Sequence, residues 1–213
     1  MMSEAERRQK QWEKTSGPQF HTLQSMEQMN SPLLKPTLWR TCRVLANRTR
    51  LRALGLLVCN SPLTVSAMAM RLHLPMPVAS QCLRSLEARG LLTARRVKQR
   101  VDYRLNDTPM GDARELVAAL RSAFRSEADP EDIIYRLSTA FTHPRRIEIF
   151  HFLQERPRTL TQLGTLTSIS GPALVRHLEK LKTRGFVICE KNIYSAMMPS
   201  LAFGRTLARL ASK

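Results

Sequence analysis

The chain has 213 residues, of which 43% are hydrophobic and 24% charged, and its 34 Lys and Arg against 17 Asp and Glu give a formal net charge of +17. This composition is typical of one large or two small folded domains and argues against a largely disordered chain. No apolar run approaches the roughly 18 residues of a membrane span. The N-terminal residues have no hydrophobic signal core, so we expect a cytoplasmic protein.

Cysteine usage points to the same compartment. The four cysteines are scattered through the sequence and form no Cys-x-x-Cys pair: Cys42, Cys59, Cys82 and Cys189. This is the usage of a reducing compartment rather than of a disulfide framework. We expect small buried thiols and no redox role.

The positive charge falls into two blocks. Residues 38–107 contain 13 Lys or Arg against 3 Asp or Glu, and residues 133–213 contain 13 against 4. The segment 108–132 between them has a net charge of −3, and residues 1–37 one of +1. Two basic blocks indicate two surfaces that face a polyanion, with nucleic acid the first candidate and an anionic membrane surface the second.

The two basic blocks also repeat one sequence pattern. The stretch NRTRLRALGLL (47–57) aligns with HPRRIEIFHFL (143–153), and PVASQCLRSLEARGLL (77–92) aligns with PALVRHLEKLKTRGFV (172–187). A repeat of this period indicates a duplicated domain rather than a solenoid. We therefore predict an N-terminal arm, a first domain, a connector, and a second domain with a C-terminal helix, over residues 1–37, 38–107, 108–132 and 133–213.

In chain order, the arm contains Ser3 and Glu6 at capping-box spacing, which predicts a frayed helix. The first domain opens with a helix whose apolar residues recur at i, i+3 and i+7 and which stops at Asn60-Ser-Pro. A short helix over 65–71 and a longer one from Pro77 follow. Gly90 occupies the position where a helix ends in the left-handed conformation, and alternation around Tyr103 predicts a return strand.

The second domain repeats this order. It has a short helix over 160–166, a helix from Pro172 that Ser170 can cap, Gly185 at its end and a β-prone run at 186–189. Because Tyr103 aligns with Tyr194, the second copy has lost about four residues between its strands. The predicted fold class is mainly α with small β-hairpins, arranged as two tandem winged helix-turn-helix domains.

The exposed face of the first long helix is suited to reading bases in a major groove. Ser and Gln can hydrogen-bond base edges, Arg can reach guanine or a phosphate, and a small apolar group can touch a thymine methyl. The hairpin sequence RRVKQR (95–100) adds four positive charges that can bind phosphates. The candidate DNA-binding residues of the first copy are Val78, Ser80, Gln81, Arg84, Ser85, Arg95, Arg96, Lys98 and Arg100.

The second copy offers a weaker set. Glu179 stands where the first copy has Arg84, and its hairpin offers only Glu190-Lys191-Asn192. We therefore expect the first hairpin to contribute more to DNA binding than the second. The candidate DNA-binding residues of the second copy are Ala173, Val175, Arg176, His177, Lys180 and Lys191.

The stretches LANRTRLRALGLL, LRSLEARGLL and VDYRL together resemble the ArsR/SmtB-type winged-helix transcription regulators, closely over 38–107 and more loosely over 133–198. The resemblance implies dimeric operator binding and an effector that releases DNA. Metal-sensing members carry a Cys-x-Cys pair where this sequence has Thr64 and Ser66, which are not soft-metal ligands. We therefore expect no metal and no other cofactor, and the effector remains unknown.

Two amphipathic stripes flank the second domain, with leucines at 116 and 120 in the connector and at 207 and 210 near the C-terminus. They could join two copies of the chain in a homodimer, or join the two domains of one chain as an internal pseudo-dimer. A pseudo-dimer with two different recognition helices should prefer an asymmetric operator.

Other functions have less support in the sequence. A tandem winged-helix protein-interaction scaffold in a chromosome-associated complex is the strongest alternative, although it does not require two basic domains. RNA binding is disfavoured because few aromatic residues are available for stacking and because the major groove of RNA is too deep and narrow for a recognition helix. No phosphate-binding glycine loop, nucleophile elbow or HExxH motif supports an enzyme.

Overall fold

Two short three-stranded sheets, each surrounded by helices, make up the part of the chain that the computed structural model describes, residues 37–98 and 100–213. The predicted arm lies outside these residues except for Thr37. We call residues 38–126 the first unit and residues 130–211 the second. The first unit contains α1 (Leu38–Leu45), α2 (Arg48–Cys59), β1 (Leu63–Thr64), α3 (Val65–Leu72), α4 (Met76–Glu87), β2 (Leu92–Val97), β3 (Arg100–Leu105) and α5 (Asp112–Ser126).

The second unit repeats this order of elements. A 3₁₀ turn follows its first helix, and the remaining elements correspond one to one with those of the first unit. The prediction of a mainly helical chain with small antiparallel sheets is confirmed. The elements are α6 (Pro130–Ser138), the 3₁₀ turn (Thr139–Phe141), α7 (Pro144–Glu155), β4 (Arg158–Thr159), α8 (Leu160–Thr167), α9 (Gly171–Thr183), β5 (Val187–Glu190), β6 (Ile193–Ala196) and α10 (Ala202–Ala211).

Each sheet has one strand more than the predicted hairpin. The strand orders are β1-β3-β2 and β4-β6-β5, and all pairs are antiparallel. Leu63 of β1 pairs with Tyr103, and Arg158 of β4 pairs with Tyr194. The sequence-based prediction missed both strands because two residues are too few to show the alternation that marks a strand.

The two hairpins differ in length. The β2–β3 ladder runs to the pair Val97 and Arg100, whereas the β5–β6 ladder ends at the pair Glu190 and Ile193. The first hairpin therefore has two residue pairs more than the second, which extends it by about 7 Å. The extended ladder corrects one expectation, since Arg95 and Arg96 are paired within β2 rather than placed in the connecting turn.

The cores of the two units are built from equivalent positions. Phe141, Phe150 and Phe186 form a fully buried cluster in the second unit, with ring centroids 4.7 to 6.0 Å apart. Edge-to-face packing at these distances is favourable for aromatic rings. The equivalent positions of the first unit hold leucines that are equally buried: Leu45, Leu54 and Leu91.

An arginine at the start of the second helix of each unit stabilises the end of the preceding helix. The Arg50 guanidinium donates to the carbonyl of Val44 (3.0 Å), and that of Arg146 donates to the carbonyl of Thr139 (3.2 Å). Terminal carbonyls of a helix otherwise lack partners. This contact accounts for the arginine shared by NRTR and HPRR.

The segment predicted as a connector is part of the folded unit. Its helix α5 packs against α10, and Glu115 pairs with Arg209 (3.1 Å) and with Lys213 (2.8 Å). The predicted boundary between 132 and 133 falls inside α6, because Asp129 caps that helix by accepting a hydrogen bond from the backbone N–H of Asp132 (3.2 Å). The two predicted amphipathic stripes thus face each other within one chain.

The first helices of the two units also pack together. Helix α1 contacts α6 and the 3₁₀ turn, and α2 contacts α6. Arg48 of α2 pairs with Asp132 (2.6 Å), and its guanidinium lies 4.8 Å from the ring centroid of Tyr135. The units are therefore joined by several helix pairings, among them α1 with α6, α2 with α6 and α5 with α10.

The start of α10 leaves no room for a side chain at Gly204. A Cβ there would lie 2.7 Å from Cβ of Pro199, so we expect Gly204→Ala to shift α10 on α5 and to destabilise the protein by about 1–3 kcal/mol. Urea unfolding would measure this as a lower midpoint. Gly171→Ala is the matched control, because no atom of the described residues lies within 4 Å of its Cβ position. Equal midpoints for the two variants would contradict the prediction.

Candidate nucleic-acid interface

Two consecutive helices in each unit are joined by a tight turn of three residues. In the first unit His73 ends α3 in the left-handed conformation (φ 53°), and in the second Ser168 ends α8 in the same way (φ 52°). Thr64 and Thr159 cap the N-termini of α3 and α8 through their side chains. Ser170, which we expected to cap α9, stands at the N-cap but makes no such bond. This arrangement is a helix-turn-helix.

The ends of α4 and α9 explain the repeated sequence around Gly90 and Gly185. Both glycines have positive φ, 68° and 77°, as predicted. The backbone N–H of the following residue then reaches back to the helix, from Leu91 to the carbonyl of Leu86 (3.2 Å) in the first unit, with an equivalent bond of 3.0 Å in the second. This closure directs the chain from the helix straight into β2 or β5.

The five candidate residues on α4 lie on one accessible face. Val78 is 40% exposed, Gln81 and Arg84 are exposed, and the two serines are half-buried. The face borders a groove of about 650 Å³ that is also lined by Val44 of α1 and Arg89. The Arg84 guanidinium donates to Oγ of Ser80 through Nε (3.1 Å) and Nη2 (2.8 Å), which orients it along the helix.

The first hairpin carries its charges in the open. The four predicted residues, Arg95, Arg96, Lys98 and Arg100, are all exposed. Among residues 37–98 and 100–213, none of the four forms an ion pair. Lys98 has positive φ (55°) and stands at the tip. The hairpin therefore presents unpaired positive charge beside the face of α4.

The α9 face differs from this arrangement. Val175 is 40% exposed and Arg176 is exposed, whereas Ala173, His177 and Lys180 are half-buried. Lys191 is exposed at the tip of the second hairpin and has positive φ (47°). The ring of His177 packs against that of His143 at the start of α7, with centroids 4.9 Å apart, a contact that the sequence did not predict.

The two histidines, His143 exposed and His177 half-buried, form a pair surrounded by positive charge. His143 caps α7, since its Nδ1 accepts the backbone N–H of Arg145 (3.1 Å). Burial lowers the pKa of His143, and the charges of Arg146, Arg145 and Arg43 lower it further. Burial also lowers the pKa of His177, together with His143 and the arginines at 146, 176 and 145. The lowered pKa values favour the neutral form of both rings, the form in which Nδ1 of His143 can accept the capping hydrogen bond.

Acidification should weaken this part of the fold. Because the folded pKa values lie below the unfolded value of about 6.5, the pair stabilises the protein fully above that pH. The stabilisation is lost as the pH falls from there through the folded pKa values. The test variant is His143→Asn, which retains a capping side chain as Asn47 does in the first unit. Between pH 7.5 and 5.5 we expect its melting temperature to fall less than that of the native chain. Parallel melting temperatures across that range would contradict the prediction.

Several residues next to these faces escaped the sequence-based prediction. Arg40 and Arg43 are exposed on α1, and their guanidinium carbons lie 5.0 and 5.7 Å from the ring centroid of Trp39. Arg89 lies at the end of α4. A cluster of aromatic and basic residues in LWRTCRVL was visible in the sequence. Its position beside α4 depends on tertiary packing.

In the described ranges, no three His, Cys, Asp or Glu side chains come together in a way that could hold a metal ion. Thr64 and Ser66, at the positions where the family's metal sensors have cysteines, are hydrogen-bonded to each other (3.0 Å).

Across the part of the chain that the structure describes, no helix is long and apolar enough to cross a membrane.

The accessible helix after a tight turn, followed by a hairpin, defines this site as a helix-turn-helix. The family of bacterial regulatory proteins designated arsR matches residues 143–188, from the cap of α7 into β5. This match supports DNA-binding transcription regulation as the class of function, and domains of this family are typically not enzymes. The match falls on the unit in which we considered the resemblance looser. No curated protein matches the chain.

Proposed function

We propose that the protein is a sequence-specific, double-stranded-DNA-binding transcription regulator of bacterial type, in which both units are winged helix-turn-helix domains. Helices α4 and α9 enter major grooves, and the hairpins bind the adjacent phosphates. A regulator of this kind would act on the nucleoid, in the cytoplasm, as a repressor or autoregulator. The observation that carries the proposal is the exposed face of α4 beside the four charges of the first hairpin, which have no ion-pair partner among the described residues.

The pairing of helices between the units supports an internal pseudo-dimer. Helix α1 packs on α6, its counterpart by sequence offset, and α5 packs on α10, which also follows a hairpin. Equivalent helices thus meet across one interface, as in a two-fold dimer. A single chain would then present two reading heads to half-sites about one helical turn apart.

The two heads would read different sequences. Both helices expose a valine, but α4 adds Gln81 and Arg84 whereas α9 adds Arg176 and Glu179 at the equivalent positions. Arginine favours guanine, glutamine favours adenine, and a small apolar group favours the methyl of thymine. We therefore expect an asymmetric operator with two unlike half-sites.

The experiment is selection of bound fragments from the source genome, followed by titration of the selected fragment in increasing salt. DNA binding predicts a linear fall of log affinity with log salt, by about 0.9 per phosphate contacted. One chain bound per asymmetric site supports the pseudo-dimer, whereas a palindromic site with two chains supports a homodimer. Failure to enrich any fragment, with no salt dependence, would contradict DNA binding itself.

A protein-interaction scaffold is the second candidate, and one observation favours it for the second unit. The short second hairpin and the segment after it expose apolar side chains, including Ile188, Ile193 (44% exposed) and Met198 (54% exposed). Exposed apolar clusters are more typical of protein contacts than of phosphate contacts. Under this alternative, the titration with DNA fragments would show no steep dependence of affinity on salt.

A further inference from the structure

Helix α1 lies beside the reading face of α4 and contacts the second unit at its 3₁₀ turn. Val44 lines the groove along α4 together with Gln81 and Arg84. One residue earlier, the charge of Arg43 acts on His143, whose ring touches His177 of α9. Helix α1 therefore borders the groove along α4, and it contacts the 3₁₀ turn that also contacts α9.

Helix α1 as a whole is strongly basic, and its own sequence supplies no compensating acid. Its sequence LWRTCRVL contains no Asp or Glu. Arg40 and Arg43 are exposed, and among the described residues neither forms an ion pair. Both guanidinium groups are held near the face of Trp39, at 5.0 and 5.7 Å from its centroid, which orders them without neutralising their charge.

The end of α4 adds a further uncompensated cation. Arg89 has Nε and Nη1 buried, and in the described part of the chain they have no hydrogen-bond partner. Burial lowers the pKa of Arg89, and the charge of Arg40 lowers it further. In the second unit the equivalent Arg184 donates to Oγ1 of Thr139 (2.7 Å). The first unit has Arg43 in place of that threonine, so positive charges crowd together here.

We propose that α1 is a third DNA-contacting element, in which Arg40 and Arg43 bind backbone phosphates between the half-sites read by α4 and α9. This inference rests on the proposed function. Two heads on adjacent turns of one duplex leave the intervening phosphates facing the protein between them. Exposed arginines in that position would release counterions on binding and fix the register of the two heads.

The test compares Arg40→Gln/Arg43→Gln with Arg114→Gln/Arg125→Gln, which removes the same charge from exposed arginines of α5. Each variant is titrated against the selected fragment at several salt concentrations. The α1 variant should reduce the slope of log affinity against log salt by about 1.8 and weaken binding about 30-fold at 0.15 M salt. The control variant should change the salt slope and the logarithm of the affinity by no more than about a third of the changes expected for the α1 variant. Equal changes in both variants would overturn the proposal, while salt-dependent binding by the native chain would still support the proposed function.

Trp39 provides a second measurement that does not depend on affinity. In a Trp12→Phe background, Trp39 is the remaining tryptophan, and its emission should change when the selected fragment binds. Hydroxyl-radical footprinting should show protection between the half-sites that disappears in the α1 variant. An unchanged emission, or unchanged central protection, would overturn the proposal. A third result would also overturn the proposal. If Trp39 emission responded to inorganic phosphate alone, and if the α1 variant bound the selected fragment as tightly as the native chain, α1 would bind free anions instead of DNA.

Discussion

Replacing Arg95, Arg96, Lys98 and Arg100 by glutamine is expected to reduce the affinity for the selected DNA by about a thousandfold at 0.15 M salt. Each phosphate contact releases about 0.9 counterions, so loss of four contacts lowers the salt slope by about 3.6. The four side chains are exposed; Arg95, Arg96 and Arg100 lie on the paired ladder and Lys98 at the tip of the same projecting hairpin. A salt titration by fluorescence anisotropy measures both quantities.

Two comparisons make this result specific to the hairpin. Glutamine at four other exposed arginines removes the same charge and should weaken binding far less: Arg114, Arg125, Arg156 and Arg205. Lys191→Gln, on the shorter second hairpin, should weaken the affinity by no more than about fivefold, which is the effect of losing one phosphate contact. If Lys191→Gln weakened binding as much as the quadruple substitution in the first hairpin, the assumed difference between the hairpins would be wrong.

The largest expected effect on stability is that of Phe186→Ala. Phe186 is fully buried and its ring contacts those of Phe141 (4.7 Å) and Phe150 (6.0 Å). Its removal should cost about 3–5 kcal/mol, because the transfer free energy of the ring is lost and a cavity remains between the two other rings. Urea unfolding, followed by circular dichroism, should show the corresponding fall in midpoint.

Phe186→Leu is the matched variant, because the first unit has Leu91 at the equivalent position. We expect it to cost less than about 1.5 kcal/mol, as for other hydrophobic exchanges of similar shape. A leucine variant as unstable as the alanine variant would show that the second unit depends on aromatic packing and not simply on filled volume.

The sequence predicted those features of the fold that depend on local patterns. The left-handed glycines at 90 and 185 and the short helices before α4 and α9 follow from residue type and apolar periodicity, and the structure confirms them. Strands β1 and β4 were missed because their pairing partner lies some 40 residues away in sequence and only two residues take part. Arg158 in β4 has none of the apolar character expected of a strand.

The candidate interface was predictable to a smaller extent. Exposure of Gln81 and Arg84 follows from helical spacing, because the residues between buried leucines must face outward. The covering of His177 by His143 and the approach of α1 to α4 arise from packing between elements far apart in sequence. No periodic pattern carries that information, so these features required coordinates.

The pairing of α5 with α10 inside one polypeptide has a consequence for how the two halves can change. In a protein assembled from identical subunits, every substitution enters both halves at once, and each must tolerate it. Here the partners are encoded separately, so one half can exchange leucine for phenylalanine in its interior, or shorten its hairpin, while the other stays as it was. A single mutation could then alter the preference for one half-site and leave the second unchanged.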